Sequence, residues 1–236
     1  MAALAGKVAL ITGGTGALGR AVSAAFVAAG ARIVVTYVVE KELAAFRDAV
    51  PAGSYELAQV DLADPPAVSA VVSRTVAAHG RLDVLLNLAG GFSGGKPLVE
   101  TPVADLEHLF TMNVKTAYVC AQAVLPVMLR QRWGRIVNVT ARPGLIGGAS
   151  VSAYAITKAG VAALTRALAD EVREHGITVN AIAPSTIDTP ANRAAMPDAD
   201  PARWAKPEEI AATLVFLASD AAAAISGAII PVYARA

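Results

Sequence analysis

Val8-Ala9-Leu10-Ile11-Thr12 runs without a break into Gly13-Gly14-Thr15-Gly16-Ala17-Leu18-Gly19, and an apolar stretch follows at once. An uncharged, nearly all-apolar run of this length reads as a strand covered on both faces. Gly14, Gly16 and Gly19 satisfy G-x-G-x-x-G in the strand–turn–helix setting that gives the motif its meaning. Glycine there permits a tight turn and lets main chain approach a pyrophosphate. The helix that follows offers unpaired N–H groups and its positive dipole end. An ordinary glycine-rich turn satisfies the bare pattern too, so the weight comes from its place at the first strand of an alternating chain.

Working outward, short runs rich in Val, Ile and Leu recur at 33–36, 57–60, 84–87, 135–139, 178–182 and 229–232. Helical candidates lie between them at 17–29, 40–49, 65–79, 102–131, 152–175 and 207–219. Gly30, Gly80, Gly134 and Gly176 fall near helix ends, where a left-handed cap is useful, and Pro65, Pro102 and Pro207 near helix starts. Seven strands separated by helices imply right-handed crossovers and an α/β fold, a Rossmann-type doubly wound parallel sheet with helices on both faces. With no repeat, charge run or low-complexity linker, residues 1–236 read as one domain. Asp188–Trp204, rich in Pro, Asp and Ala, is the stretch expected to be irregular.

Composition narrows the function. Apolar residues make up 55% of the chain, but 53 positions are Ala, so alanine-packed helices account for much of it. Twenty basic against nineteen acidic residues give a net charge of +1, which argues against a partner held by its phosphate backbone. Aromatics at 5% leave little for base stacking, so no nucleic-acid partner is expected. The mean hydropathy of +0.52 is high. Even so, no apolar run approaches the ~20 residues that span a bilayer, and Val8–Thr12 is too short for a signal-peptide core. Cys120 stands alone, which excludes an intrachain disulfide and a cysteine metal cluster and fits a reducing, cytoplasmic setting. His79, His108 and His175 have no metal-ligand spacing and read as exposed helix residues, so no metal is expected.

Tyr154-Ala155-Ile156-Thr157-Lys158 places a phenol and an ammonium one helical turn apart on the same face. A nearby ammonium favours the phenolate and lowers a Tyr pKa, which would let Tyr154 exchange the proton that accompanies hydride transfer. Tyr-x-x-x-Lys alone is a common surface pattern. Here it sits on the helix after the fifth strand, whose C-terminal end feeds the ligand crevice.

Together these residues resemble the short-chain dehydrogenase/reductase family over nearly the whole chain. Asn87-Leu88-Ala89-Gly90 resembles its Asn-Asn-Ala-Gly after the fourth strand, Asp61-Leu62 its adenine-side contact, and Met112-Asn113-Val114 the Asn of its catalytic tetrad. Pro184-Ser185-Thr186-Ile187-Asp188-Thr189 resembles the segment that hydrogen-bonds a nicotinamide carboxamide. The resemblance implies catalytic Tyr154, Lys158 and Asn113. It implies NAD(H) or NADP(H) held by Gly13, Thr15, Gly16, Leu18, Tyr37, Asp61, Leu62, Asn87, Ala89, Gly90, Tyr154, Lys158, Pro184, Ile187 and Thr189. It also implies a homotetramer built on the helices at 102–131 and 152–175.

Departures from the family pattern narrow the substrate. The family's catalytic Ser, thirteen positions before the Tyr, is Ala141 here, with Thr140, Ser150 and Ser152 as doubtful stand-ins. The dihydropteridine reductase branch is similar in lacking that Ser, and in Val38-Val39-Glu40 and the stretch from Asp188 to Trp204; Asn113 fits the broader family instead. The chain also lacks a C-terminal Asp-Gly-Gly, ending Pro231-Val232-Tyr233-Ala234-Arg235-Ala236. The expected activity is hydride transfer between nicotinamide and a small substrate, a dihydropterin first and a ketone or 3-oxoacyl thioester as the alternative. A cofactor-binding pseudoenzyme is the reading from another class, opposed by the retained Tyr154, Lys158 and Asn113. Tyr37 stands where an acid would read the ribose 2′-OH, and no Arg follows it. The expectation is mild discrimination, within about a hundredfold, leaning to NADH. Arg20 and Arg142 read as surface charges, Trp133 as packing, and Trp204 as packing or a substrate wall.

Overall fold

The computed structural model describes residues 2–235. Its parallel strands are β1 Val8–Thr12, β2 Arg32–Tyr37, β3 Tyr55–Gln59, β4 Val84–Asn87, β5 Gly134–Val139, β6 Ile177–Pro184 and β7 Ile229–Val232. They form one sheet in the order β3-β2-β1-β4-β5-β6-β7. Every strand read from the sequence is present, with ends displaced by one or two residues at β2, β3, β5 and β6. The helices are α1 Ala17–Ala28, α2 Leu43–Ala49, α3 Pro65–His79, α4 Val103–Phe110, α5 Thr116–Gln131, α6 Arg142–Ile146, α7 Ser152–Glu171, α8 Pro190–Ala195 and α9 Pro207–Ala218.

Alternation along buried strands builds two cores. Val8 and Leu10 of β1 join Val68 and Val72 of α3 and Val124 and Met128 of α5. Ala9 and Ile11 point the other way, toward Phe26 of α1, Phe46 of α2 and Leu214 of α9. Phe26 and Phe46 are wholly buried, each contributing roughly 1.5–3 kcal/mol over an exposed side chain.

Several local expectations change. The helix expected at 102–131 is interrupted by a π-turn at Thr111–Lys115, where the Thr116 N–H donates to Thr111 O. As one rod, Val103–Gln131 is long and apolar enough to cross a membrane by length and composition, but Asp105, Glu107, Lys115 and Arg130 break it, so its longest uncharged run, 116–129, stays short of that span. Its Val119, Cys120, Val124 and Met128 pack into the core beside the sheet. Gly134 is not a cap: Arg132, at φ 51°, closes α5, and Gly134 opens β5, where a Cβ would lie 2.6 Å from Met128 Sδ. Asp188–Trp204 is more ordered than expected, since Thr189 caps α8 and a 3₁₀ turn spans Pro201–Arg203. Trp204 is buried and so is no exposed substrate wall. His79 is not an exposed histidine; its Nε2 lies 2.8 Å from Glu56 Oε1.

Candidate active site

Strand order reverses between β1 and β4, the switch point outside whose C-terminal strand ends an open α/β sheet takes its ligands. Thr12 Oγ1 donates to Leu86 O and accepts the N–H groups of Leu88 and Ala89, both at 3.1 Å, so the turns after β1 and β4 are pinned together. A Cβ on Gly13 would come within 2.9 Å of Ala89 Cα, on Gly14 within 2.7 Å of Val35 Cγ1, and on Gly19 within 2.4 Å of Gly13 O. Those three positions demand glycine. Gly16 does not: a Cβ there meets its nearest atom at 3.5 Å, and the residue serves as the N-cap of α1. The G-x-G-x-x-G spacing therefore counts a glycine that sterics do not require and passes over Gly13. No side chain caps α1, which leaves its first N–H groups open to an anion. This close-approach turn fits the pyrophosphate of a dinucleotide.

Other residues read as cofactor contacts are distributed around the same edge. Leu18 is partly buried on α1, and Thr15, almost fully buried, donates from Oγ1 to Glu42 Oε2 at 2.7 Å. Arg20, read as a surface charge, reaches back to Thr15 O through Nη1 at 3.1 Å. Tyr37 ends β2 with its carbonyl accepting from Val60. Asp61 is exposed and its carboxylate takes the N–H of Ala63, while Leu62 turns into the core. Asn87 also turns inward, donating to Asn138 Oδ1 at 2.8 Å; its own Oδ1 has no partner. Only its main chain leads into the turn after β4, with Ala89 and Gly90. Beyond Pro184, the Ile187 carbonyl is held by Asn192 Nδ2 and Thr189 Oγ1 by the Asn192 N–H. Those two acceptors are thus already engaged within the protein.

Asn113 and Lys158 converge on Gly90. A Cβ at Gly90 would lie 2.6 Å from Asn113 Oδ1 and 3.3 Å from Lys158 Nζ. Asn113 sits in the π-turn, a local geometry enriched at functional sites. Its carboxamide accepts from Gly91 N, donates to Gly91 O and donates to Thr157 Oγ1, so it braces the loop after β4 against α7. Lys158 is 6% exposed and donates to Val139 O at 3.0 Å. Burial brings its pKa down to about 8 and pushes that of Tyr154 up to about 12. The expected lowering of the Tyr154 pKa by Lys158 is thus absent: the ammonium is 5.9 Å from the phenol ring centroid, and desolvation outweighs it. At neutral pH the pair is a protonated phenol beside a mostly protonated amine, poised to donate.

Ala141, two residues past β5, is extended and buried as the N-cap of α6, so a methyl stands at the position to which the resemblance assigns a hydroxyl. Thr140 is no substitute, because its Oγ1 donates to Lys158 O at 2.6 Å. Ser152 Oγ is buried without a partner, and Ser150, at φ 58°, is exposed with its carbonyl held by Gly95 N. Arg142 is half-buried, 5.4 Å from the Tyr233 ring centroid. Trp133 packs as expected, under Lys7 and Arg135. Three contacts escaped the sequence reading. Thr157, inside the quoted pentapeptide, bonds back to Tyr154 O, a helical Thr habit that was legible. The Phe92 ring meets Tyr154 edge-on at 4.9 Å, and Glu42 reaches Thr15; both are long-range contacts with no local signal.

A glycine cradle at the switch point with a half-buried Tyr and a buried Lys on one turn of α7 is the arrangement of a dinucleotide-dependent oxidoreductase. The short chain dehydrogenase profile matches residues 7–200, and the chain belongs to that family. It is 35% identical over 237 residues to a 3-oxoacyl-[acyl-carrier-protein] reductase of Synechocystis sp., across 95% of this chain and 94% of that one. It is 37% identical over 239 residues to cis-4-hydroxycyclohexanecarboxylate dehydrogenase of Sinomonas cyclohexanicum, across 98% and 96%. The crystal structure of levodione reductase superposes with a TM-score of 0.90 at 31% identity, across 97% and 96% of the two chains. The protein is therefore an NAD(P)-dependent oxidoreductase of this family.

Proposed function

We propose that the site interconverts a small carbonyl compound and its alcohol, with Tyr154, Lys158 and Asn113 as the working side chains. The observation that carries this reading is the convergence of Asn113 and Lys158 on Gly90, one helical turn from Tyr154, beside the glycine turn. Bound NAD(H) or NADP(H) supplies or takes up the hydride. In the reductive direction the Tyr154 hydroxyl gives its proton to the substrate oxygen, Lys158 steadies the charge left on Tyr154 and holds the ribose, and Asn113 keeps the loop after β4 in register. Relatives named as acting on oxo and hydroxy compounds support the carbonyl class.

A second reading, reduction of a quinonoid dihydropterin, is favoured by Ala141. The missing hydroxyl weakens stabilisation of an oxyanion, a contact worth ~3 kcal/mol, and so favours a substrate that needs it less. Following NAD(P)H absorbance with ketone, 3-oxoacyl thioester and dihydropterin substrates separates the two. Turnover of the carbonyl compounds is expected, turnover of the dihydropterin alone selects the second reading, and failure on all three overturns both.

The proposal extends to a one-domain chain that works in the cytoplasm as a homotetramer, with a lean to NADH. Phe110 and Tyr118 on the α4–α5 rod and Ile156 on α7 expose apolar surface that a partner copy would cover. Light scattering that returned a 24.0 kDa monomer at micromolar concentration would remove the tetramer.

A further inference from the structure

We infer that Glu42 is the residue through which this site selects NAD(H) over NADP(H); the inference rests on reading the glycine turn as the dinucleotide site. Tyr37, at the end of β2, is neutral, and Val38 and Val39 after it are exposed and apolar. The chain then turns through a 3₁₀ segment, Glu40–Glu42, which sends its two acids to different places. Glu40 is exposed. Glu42 is half-buried and folds back onto the glycine turn, where its Oε2 receives the Thr15 hydroxyl at 2.7 Å.

That contact sets a carboxylate against the turn that would hold the adenosine half. An acid about twenty residues beyond a glycine turn is suited to accept a ribose 2′-OH; Glu40 and Glu42 both fall near that distance from Gly19, and only Glu42 folds back onto the turn. Its Oε1 remains free for the sugar while Oε2 stays on Thr15. A 2′-phosphate brings a charge of about −1.5 to −2 to the same place and competes for the same Thr15 hydroxyl. To admit it, Glu42 must leave Thr15 or the two anions must share the site. Arg20 also touches Thr15, but at the main-chain carbonyl. Among the described residues, no cation lies within ion-pair distance of the Glu42 carboxylate. The selecting group is thus supplied by the β2–α2 connection, five residues past the strand-end position where sequence reasoning looked for it.

Calorimetric titration of the folded protein with NADH, NADPH, ADP-ribose and 2′-phospho-ADP-ribose tests this without turnover. The unphosphorylated member of each pair is expected to bind about ten- to a hundredfold tighter. Glu42→Gln, which keeps the acceptor for Thr15, is expected to narrow that ratio by about tenfold, mainly by tightening the phosphorylated partner. Glu42→Arg is expected to invert it, and Glu40→Gln to change it by less than about threefold. High salt narrows the wild-type ratio if charge is the cause. A ratio unmoved by both Glu42 variants, with both nucleotides still binding, overturns the role of Glu42 and leaves the dinucleotide site intact. Wild-type protein that binds none of the four nucleotides overturns the cofactor site itself, and this inference with it.

Discussion

At the N-terminal edge of the sheet, Asp83 is wholly buried and every part of its carboxylate is answered. Oδ2 accepts from Val8 N and Arg81 Nε, and Oδ1 from Arg81 Nη2. Arg135 nearby is 3% exposed, yet it reaches Gly134 O, Gly176 O and Asp220 and lies against Trp133. The C-terminal edge also buries a charge, Lys158, but gives its three donors one protein acceptor, Val139 O. Ser152 Oγ nearby has no partner at all. At the first edge the two buried charges, Asp83 and Arg135, are closed by protein partners and gain stability, although Thr178 Oγ1 beside Arg135 is left without one. The other edge leaves its polar groups incomplete, which costs stability and keeps donors and acceptors available to a ligand.

Four experiments bear on that contrast, beginning with the largest expected effect. Tyr154→Phe removes one hydroxyl at the open edge and should lower kcat by about 10³-fold, with the melting temperature and the Kd for NADH nearly unchanged. Near-native kcat on the true substrate would break the assignment. Asp83→Ala at the closed edge should do the reverse, costing about 3 kcal/mol in denaturant unfolding while the folded enzyme keeps its kcat.

Lys158→Met should abolish turnover and yet stabilise the fold by about 2–3 kcal/mol at neutral pH, because burial holds the Lys158 pKa near 8 instead of 10.5. The sign follows from proton counting. Between those values the unfolded chain binds the extra proton, so wild-type stability from this group rises with pH across that window, is complete above it and is missing below pH 8. Lys158→Met should flatten that rise; a variant less stable than wild type at pH 7 would show that Lys158 is satisfied after all. Ala141→Ser adds a hydroxyl at the open edge and should raise kcat on ketones by about tenfold, while leaving a dihydropterin substrate unaffected or hindered. The ratio of the two gains sharpens the choice of substrate.

The sequence by itself determined the seven strands, the parallel doubly wound sheet, the glycine turn and the family, because each is written in local periodicity or in a short contiguous motif. Val8–Gly19 carries its own strand, turn and helix start, and Tyr154 and Lys158 are neighbours on one helical turn. Tertiary structure decided what those residues can do. The sense of the Tyr154 and Lys158 pKa shifts came from burial by distant segments, against the local expectation that the amine would dominate. Asn87 stands out in sequence as part of a short motif, but its side chain faces Asn138, a strand away. Glu42 was overlooked because its bond to Thr15 spans 27 residues and depends on how the β2–α2 connection turns. Periodicity records which face of an element is apolar; the partner that a polar atom meets is settled only when distant segments pack together.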